Sequence, residues 1–198
     1  MNAYQRFLDF FEMRNKERLD GLNELYFSEM TPEERAKAFD HLLKMTESGG
    51  GEESINGLFI ADAERAAPIV KNLLDEKKLN DRAQISAAWN LYRVHPDPNF
   101  LKIFTSLMSS PDRRVRARAT YYVPAEMDAD LIAALKGVIR TDTDSSTQIN
   151  ASNKLLECFG ITRESVSKEQ FSRYYRGIRS DDSEVKEATF ELLDLMPG

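Results

Sequence analysis

Four arginines crowd into the stretch SPDRRVRAR, from Ser110 to Arg118: Arg113, Arg114, Arg116 and Arg118. A second basic run, SRYYRGIRS from Ser172 to Ser180, sets Arg173 and Arg176 beside Tyr174 and Tyr175. Guanidinium groups next to tyrosines suit phosphate contact combined with base stacking. Arg113, Arg114, Arg118, Arg173 and Arg176 are therefore the candidate ligand or phosphate contacts. Helical geometry divides the first group, because 113 and 116 share a face while 118 turns away. A net charge of −6 and a pI near 5.1 also depart from the basic balance of a duplex binder. Nucleic acid is thus not the expected partner, and these arginines read first as structural or solvated, with a ligand contact as the alternative.

Other candidate chemistry is thinner. SGGGEES supplies glycines, but Glu52 and Glu53 follow where a phosphate loop needs Lys and Ser or Thr. TDTDSSTQINAS lacks the glycine and the closing carboxylate of a calcium loop, having Thr147 and Asn153 at those positions. His41 and His95 stand apart without a metal-binding spacing, and the single cysteine, Cys158, follows an apolar pair that suggests packing. No catalytic residue, metal ligand or cofactor motif emerges, and the expectation is a protein that is not an enzyme.

Acidity is concentrated early. Residues 1–60 carry 7 Lys and Arg against 12 Asp and Glu, whereas residues 61–198 carry 20 against 21. Glu12, Glu17, Asp20, Glu24, Glu33 and Glu34 lie on helical segments whose other faces are apolar. These carboxylates are expected to face solvent and to meet a basic protein partner. Tyr121 and Tyr174 are candidate aromatic anchors for that partner, while Trp89 and Tyr92 read as packing residues.

The elements that position these groups read as helices throughout. Apolar residues recur at the helical period at Phe100, Ile103, Phe104, Leu107 and Met108, at Leu131, Ile132, Leu135, Val138 and Ile139, and at Phe171, Tyr174, Tyr175 and Ile178. Breaks such as HPDP, SSPD, TDTDSS and SDDS supply helix starters. Near the amino terminus, Tyr4, Phe7, Leu8 and Phe11, then Leu19, Leu22, Leu25 and Tyr26, predict one long or broken helix. Thr31, Pro32 and Glu34 mark the start of the next. No apolar run approaches the roughly 20 residues that cross a bilayer. No secretory signal is visible, and the expected location is the cytoplasm.

Four segments repeat a pattern of small residues followed by two bulky apolar ones: AQISAAWNLY, VRARATYYV, QINASNKLL and VKEATFELL. Their closing pairs, beginning at Leu91, Tyr122, Leu155 and Leu192, lie 31, 33 and 37 residues apart, the range of stacked helical hairpins. PDRRVRARA and DDSEVKEAT share an acid, a Val and a following base, which resembles the second helix of HEAT-type repeats. That resemblance implies a helix-capping role for Asp112 and Asp182, inward packing for Val115 and Val185, and contacts between repeats for Arg116 and Lys186. The copy at residue 148 has Gln in place of Val. The expected fold is all-α: a short right-handed α-solenoid of HEAT-like hairpins with an N-terminal helical cap. Residues 1–50 form the cap and a glycine linker, and residues 51–198 the repeats as one structural unit. In size and charge the chain also resembles bacterial immunity proteins, implying a module that binds and neutralises a basic toxin domain. The alternative is a nucleic-acid-binding protein or a HEAT-like DNA glycosylase.

Overall fold

The computed structural model describes residues 2–14 and 21–196. Among these residues there are ten α-helices and no strand. The chain forms two compact units, Met1–Asp97 and Pro98–Gly198. The division therefore falls between Asp97 and Pro98, and the glycine segment lies within the first unit.

The first unit contains α1 (Ala3–Glu12), a 3-10 turn (Glu24–Tyr26), α2 (Pro32–Glu47), α3 (Glu52–Asp75) and α4 (Asp81–Val94). Among the described residues this early apolar run contains α1 and the 3-10 turn, with Leu25 73% exposed; Leu19 lies outside the described residues. α2 begins as its sequence predicts. Thr31 accepts the Glu34 N–H at 3.2 Å, the Glu34 carboxylate accepts the Thr31 N–H at 3.0 Å, and Pro32 fills the first position. Residues 48–51 join α2 to α3 in a tight turn in which Gly49 takes φ +87°, a conformation costly for residues with a Cβ. α2 packs on α1 and α3, and α3 on α4. Helix α3 breaks at Asp62, whose extended backbone is followed by a new start: its side chain accepts the Arg65 N–H at 3.0 Å. Phe7, Phe10 and Phe27 are fully buried, and the His41 ring meets Phe7 edge-on, with centroids 5.8 Å apart.

The second unit contains α5 (Leu101–Leu107), α6 (Arg113–Tyr122), α7 (Ala129–Thr141), α8 (Ser145–Cys158), α9 (Lys168–Ile178) and α10 (Ser183–Asp194). Asp112, Asp128, Asp144, Ser167 and Asp182 each cap a helix by accepting a backbone N–H, satisfying donors that the first turn leaves free. Helices adjacent in sequence pack together in the pairs α5–α6, α7–α8, α8–α9 and α9–α10. In addition α5 packs on α7, and α6 on α8. Leu131, Leu135, Leu155, Leu156 and Leu193 are completely buried.

Polar ties run between these helices. The Arg116 guanidinium clasps Asp142 with two bonds, at 2.6 and 3.1 Å, and also donates to the Ser110 carbonyl at 2.9 Å. The Asn150 amide of α8 donates to the Ala117 carbonyl of α6 at 3.0 Å. Lys136 and Arg140 of α7 reach Asp194 and Glu187 of α10. Val115 is buried, in keeping with its inward role, but Val185 is 46% exposed and Leu192 43%. Both lie on α10, the last helix among the described residues. At Gly177 a Cβ would strike the Thr189 side chain, so the absence of a side chain there sets how closely α9 approaches α10.

Candidate functional site

The loop from Gly160 to Ser167 and helix α9 build a cationic, aromatic-floored cleft. α8 ends in a Schellman turn: the Gly160 N–H donates to the Glu157 carbonyl, the Ile161 N–H to the Leu156 carbonyl, and Gly160 has φ +68°. Ile161 is buried and anchors the exit. Ser165 then locks the loop, accepting the Thr162 N–H at 2.7 Å and donating its hydroxyl to the Gly160 carbonyl. This fixed turn holds Arg163 above the side chain of Phe171, with its guanidinium 5.3 Å from the ring centre.

Along α9, four-residue spacing sorts the side chains into two neighbouring rows. Phe171 and Tyr175 stack with centroids 5.8 Å apart and planes 15° from parallel, and Arg179 sits 5.9 Å from the Tyr175 centroid. Lys168, Ser172 and Arg176 form the second row. Arg163, Lys168, Phe171, Ser172, Tyr175 and Arg176 line a cleft of about 400 Å³. A second one, of about 410 Å³, shares Lys168, Ser172 and Arg176 and adds Glu169 and Arg173.

The electrostatics are one-sided. Residues 163–179 carry five Lys and Arg against two Glu. No carboxylate of a described residue lies within 4 Å of the Arg163, Lys168, Arg173, Arg176 or Arg179 cation, and the Nη1 of Arg179 is buried without a hydrogen-bond partner. Elsewhere in the unit, Arg116, Lys136, Arg140 and Lys154 each reach a carboxylate at 2.5–2.7 Å. Exposed cations beside a half-buried aromatic floor can bind an anion and an apolar or planar group together.

Of the basic residues singled out from sequence, Arg173 and Arg176 belong to this site. Arg113 and Arg114 are exposed at the start of α6, with Arg113 3.9 Å from Asp144. Arg118 is half-buried over the Tyr122 ring. Arg116 is a structural tie, bound to Asp142. Among the acidic candidates, Glu34 is the capping residue of α2, and Glu24 lies 3.4 Å from Arg35. Glu12 and Glu33 are exposed, while Glu17 and Asp20 lie outside the described residues. All four described carboxylates belong to the first unit, whereas Tyr121, 61% exposed, and the half-buried Tyr174 belong to the second.

Of the cleft's lining residues, Tyr175 stood beside the candidate arginines in the sequence, whereas Arg163, Lys168, Phe171 and Ser172 were not singled out as site residues. The two aromatic residues have the spacing of a core stripe, and only Ile178 of that stripe is fully buried. Lys168, Ser172 and Arg176 at successive fours were the available signal.

Cys158 is buried, and removal from water pushes its thiol up to about 11, so it stays protonated near neutral pH. No group of three or more His, Cys, Asp or Glu side chains able to hold a metal occurs among the described residues. None of the described helices is long and apolar enough to cross a membrane. No protein-family model matches the chain, and neither a curated protein nor a solved structure does.

Proposed function

We propose that the second unit is a short HEAT-like stack of helical hairpins serving as a protein-binding module, with the α9 cleft as its contact site. The packing of α5 on α7 and of α6 on α8 supports the stack, since hairpins in a solenoid bury their apolar faces against the corresponding helices of the next hairpin. The Arg116–Asp142 clasp and the Asn150 bond to Ala117 support it in the same way, as polar ties from one hairpin to the next. The right-handed turn of the stack belongs to the same proposal.

The observation that carries the binding reading is the α9 face itself. Tyrosine and arginine are the residue types that dominate binding energy at protein interfaces. Here Tyr175 stacks on Phe171, and exposed Arg163 and Arg176 flank the pair without a carboxylate neighbour among the described residues. The module's role follows the resemblance to immunity proteins: it holds a second protein and masks the surface it covers.

The test is site-specific photo-crosslinking in the native host, with a photoreactive phenylalanine derivative placed at Tyr175 and, as a control, at Leu25. The expected result is a discrete protein adduct from position 175 and not from 25. The partner, once purified, should bind the unmodified chain and bind Arg176→Glu about tenfold or more weakly, the loss of one charge-assisted contact. A nucleic-acid adduct, or no adduct at 175, would refute the proposal.

A further inference from the structure

We infer that the α9 cleft receives an acidic segment of the partner protein, alternating carboxylates with apolar side chains. This rests on the protein-binding reading above, and it reverses the sign of the partner expected from the chain's overall charge. Net acidity sets the average field, but a binding site samples the local one. Between Arg163 and Arg179 the local balance is positive, and its cations are left unneutralised by described residues in a unit where four other cations are closely matched.

The geometry narrows the ligand. Residues four apart on a helix rise about 6 Å, so Lys168, Ser172 and Arg176 form a row of polar groups at that repeat. Carboxylates at alternate positions of an extended chain recur every 6–7 Å or so, and those four apart on a partner helix every 6 Å or so. Either matches the row. The neighbouring row, Phe171 and Tyr175, is a stacked apolar floor beside the cations and suits the residues between the carboxylates.

A polynucleotide fits less well. It presents a phosphate charge about every 1.7 Å along a duplex and calls for a basic track that follows the backbone. Here the cations are confined to one helix and its approach loop.

The test uses the full chain and three fluorescent probes: a peptide alternating Asp and Leu, its counterpart with Lys for Asp, and single-stranded oligothymidylate, each titrated by anisotropy at low and high salt. The Asp–Leu peptide is expected to bind, and to weaken as salt rises. Lys168→Glu and Arg176→Glu should each reduce its affinity by about tenfold or more. Arg114→Glu, an equal charge change at exposed residue 114 on α6, should leave it within about twofold at the higher salt, since Arg114 does not line the cleft and exposed charges are screened there. Residues 168 and 176 are exposed, so an unchanged circular dichroism spectrum separates lost binding from lost folding.

Preferential binding of the Lys–Leu peptide would overturn the acidic assignment and leave the protein-binding reading standing. So would Asp–Leu binding that ignores both charge reversals. Oligothymidylate bound more tightly than either peptide, and released by Arg176→Glu, would overturn both. No binding of the Asp–Leu peptide up to about 1 mM would also sink the acidic assignment, because several charge-assisted contacts should exceed that threshold.

Discussion

Removing the Arg116 side chain isolates the best-formed tie in the second unit. Its guanidinium makes two bonds to Asp142 and donates to the carbonyls of Ser110 and Pro111. The side chains of Arg116 and Asp142 are only 19% and 4% exposed. Arg116→Ala would therefore leave the Asp142 carboxylate without its counter-charge, held only by the backbone N–H groups of Thr143 and Asp144 among the described contacts. Breaking a buried pair from one side costs about 3–5 kcal/mol, and partial exposure of the arginine places this case near 3 kcal/mol. In calorimetry that is a drop of about 6–12 °C if both units melt together, and roughly twice that if the second melts alone.

Charge linkage provides an independent check. The Arg116 guanidinium holds the Asp142 carboxyl below its ordinary value of 3.8. A group depressed in the folded state contributes stability above its unfolded pKa and loses it as pH falls through the folded one. The difference between wild type and Arg116→Ala should consequently shrink below about pH 4. Arg116→Ala with Asp142→Ala should recover part of the loss, because no charge is then stranded. Affinity for the α9 ligand should be nearly unchanged. A drop under about 2 °C at neutral pH, or a deficit equally large at pH 3, would refute this account of the tie.

Leu155→Ala, at a fully buried position, should cost about 2–5 kcal/mol in denaturant unfolding, whereas Leu192→Ala on the exposed face of α10 should cost under about 1 kcal/mol. Gly177→Ala should destabilise the unit by about 1–3 kcal/mol through collision with Thr189, and Thr189→Ala in the same chain should restore most of the loss in thermal melts. Cys158 should resist a thiol-specific reagent at pH 8 in the folded protein and react fully in denaturant, since burial raises its pKa to about 11; rapid native labelling would contradict that environment.

Helix identity and many helix ends were local properties, legible from sequence alone. Thr31 with Glu34, and Asp112, Asp144 and Asp182, cap where they should because a cap needs only its own next few residues. The apolar period likewise identified Leu131 and Leu135 as core, and the closing pairs of the repeat pointed to Leu155, Leu156, Leu192 and Leu193, of which all but Leu192 are buried. Which apolar face would be covered was a tertiary matter. Val185 and Leu192 fit the repeat pattern of Val115 and Leu155, yet stay exposed on α10, the last described helix. The glycines at 49–51 read as a domain linker, but α2 and α3 bury apolar surface against each other across them.

The site divides in the same way. Arg173 and Arg176 could be suspected from composition, and Arg116 could be assigned to the scaffold from its repeat motif. Nothing local distinguishes a neutralised arginine from an open one: Arg116 finds Asp142 from 26 positions away, and Arg140 finds Glu187 from 47. Arg163 and Arg176 have no such partner among the described residues, and only the folded chain reveals that difference. Residue type and period are short-range properties of a sequence, whereas the neutralisation of a charge depends on which distant side chains folding brings within a few ångströms.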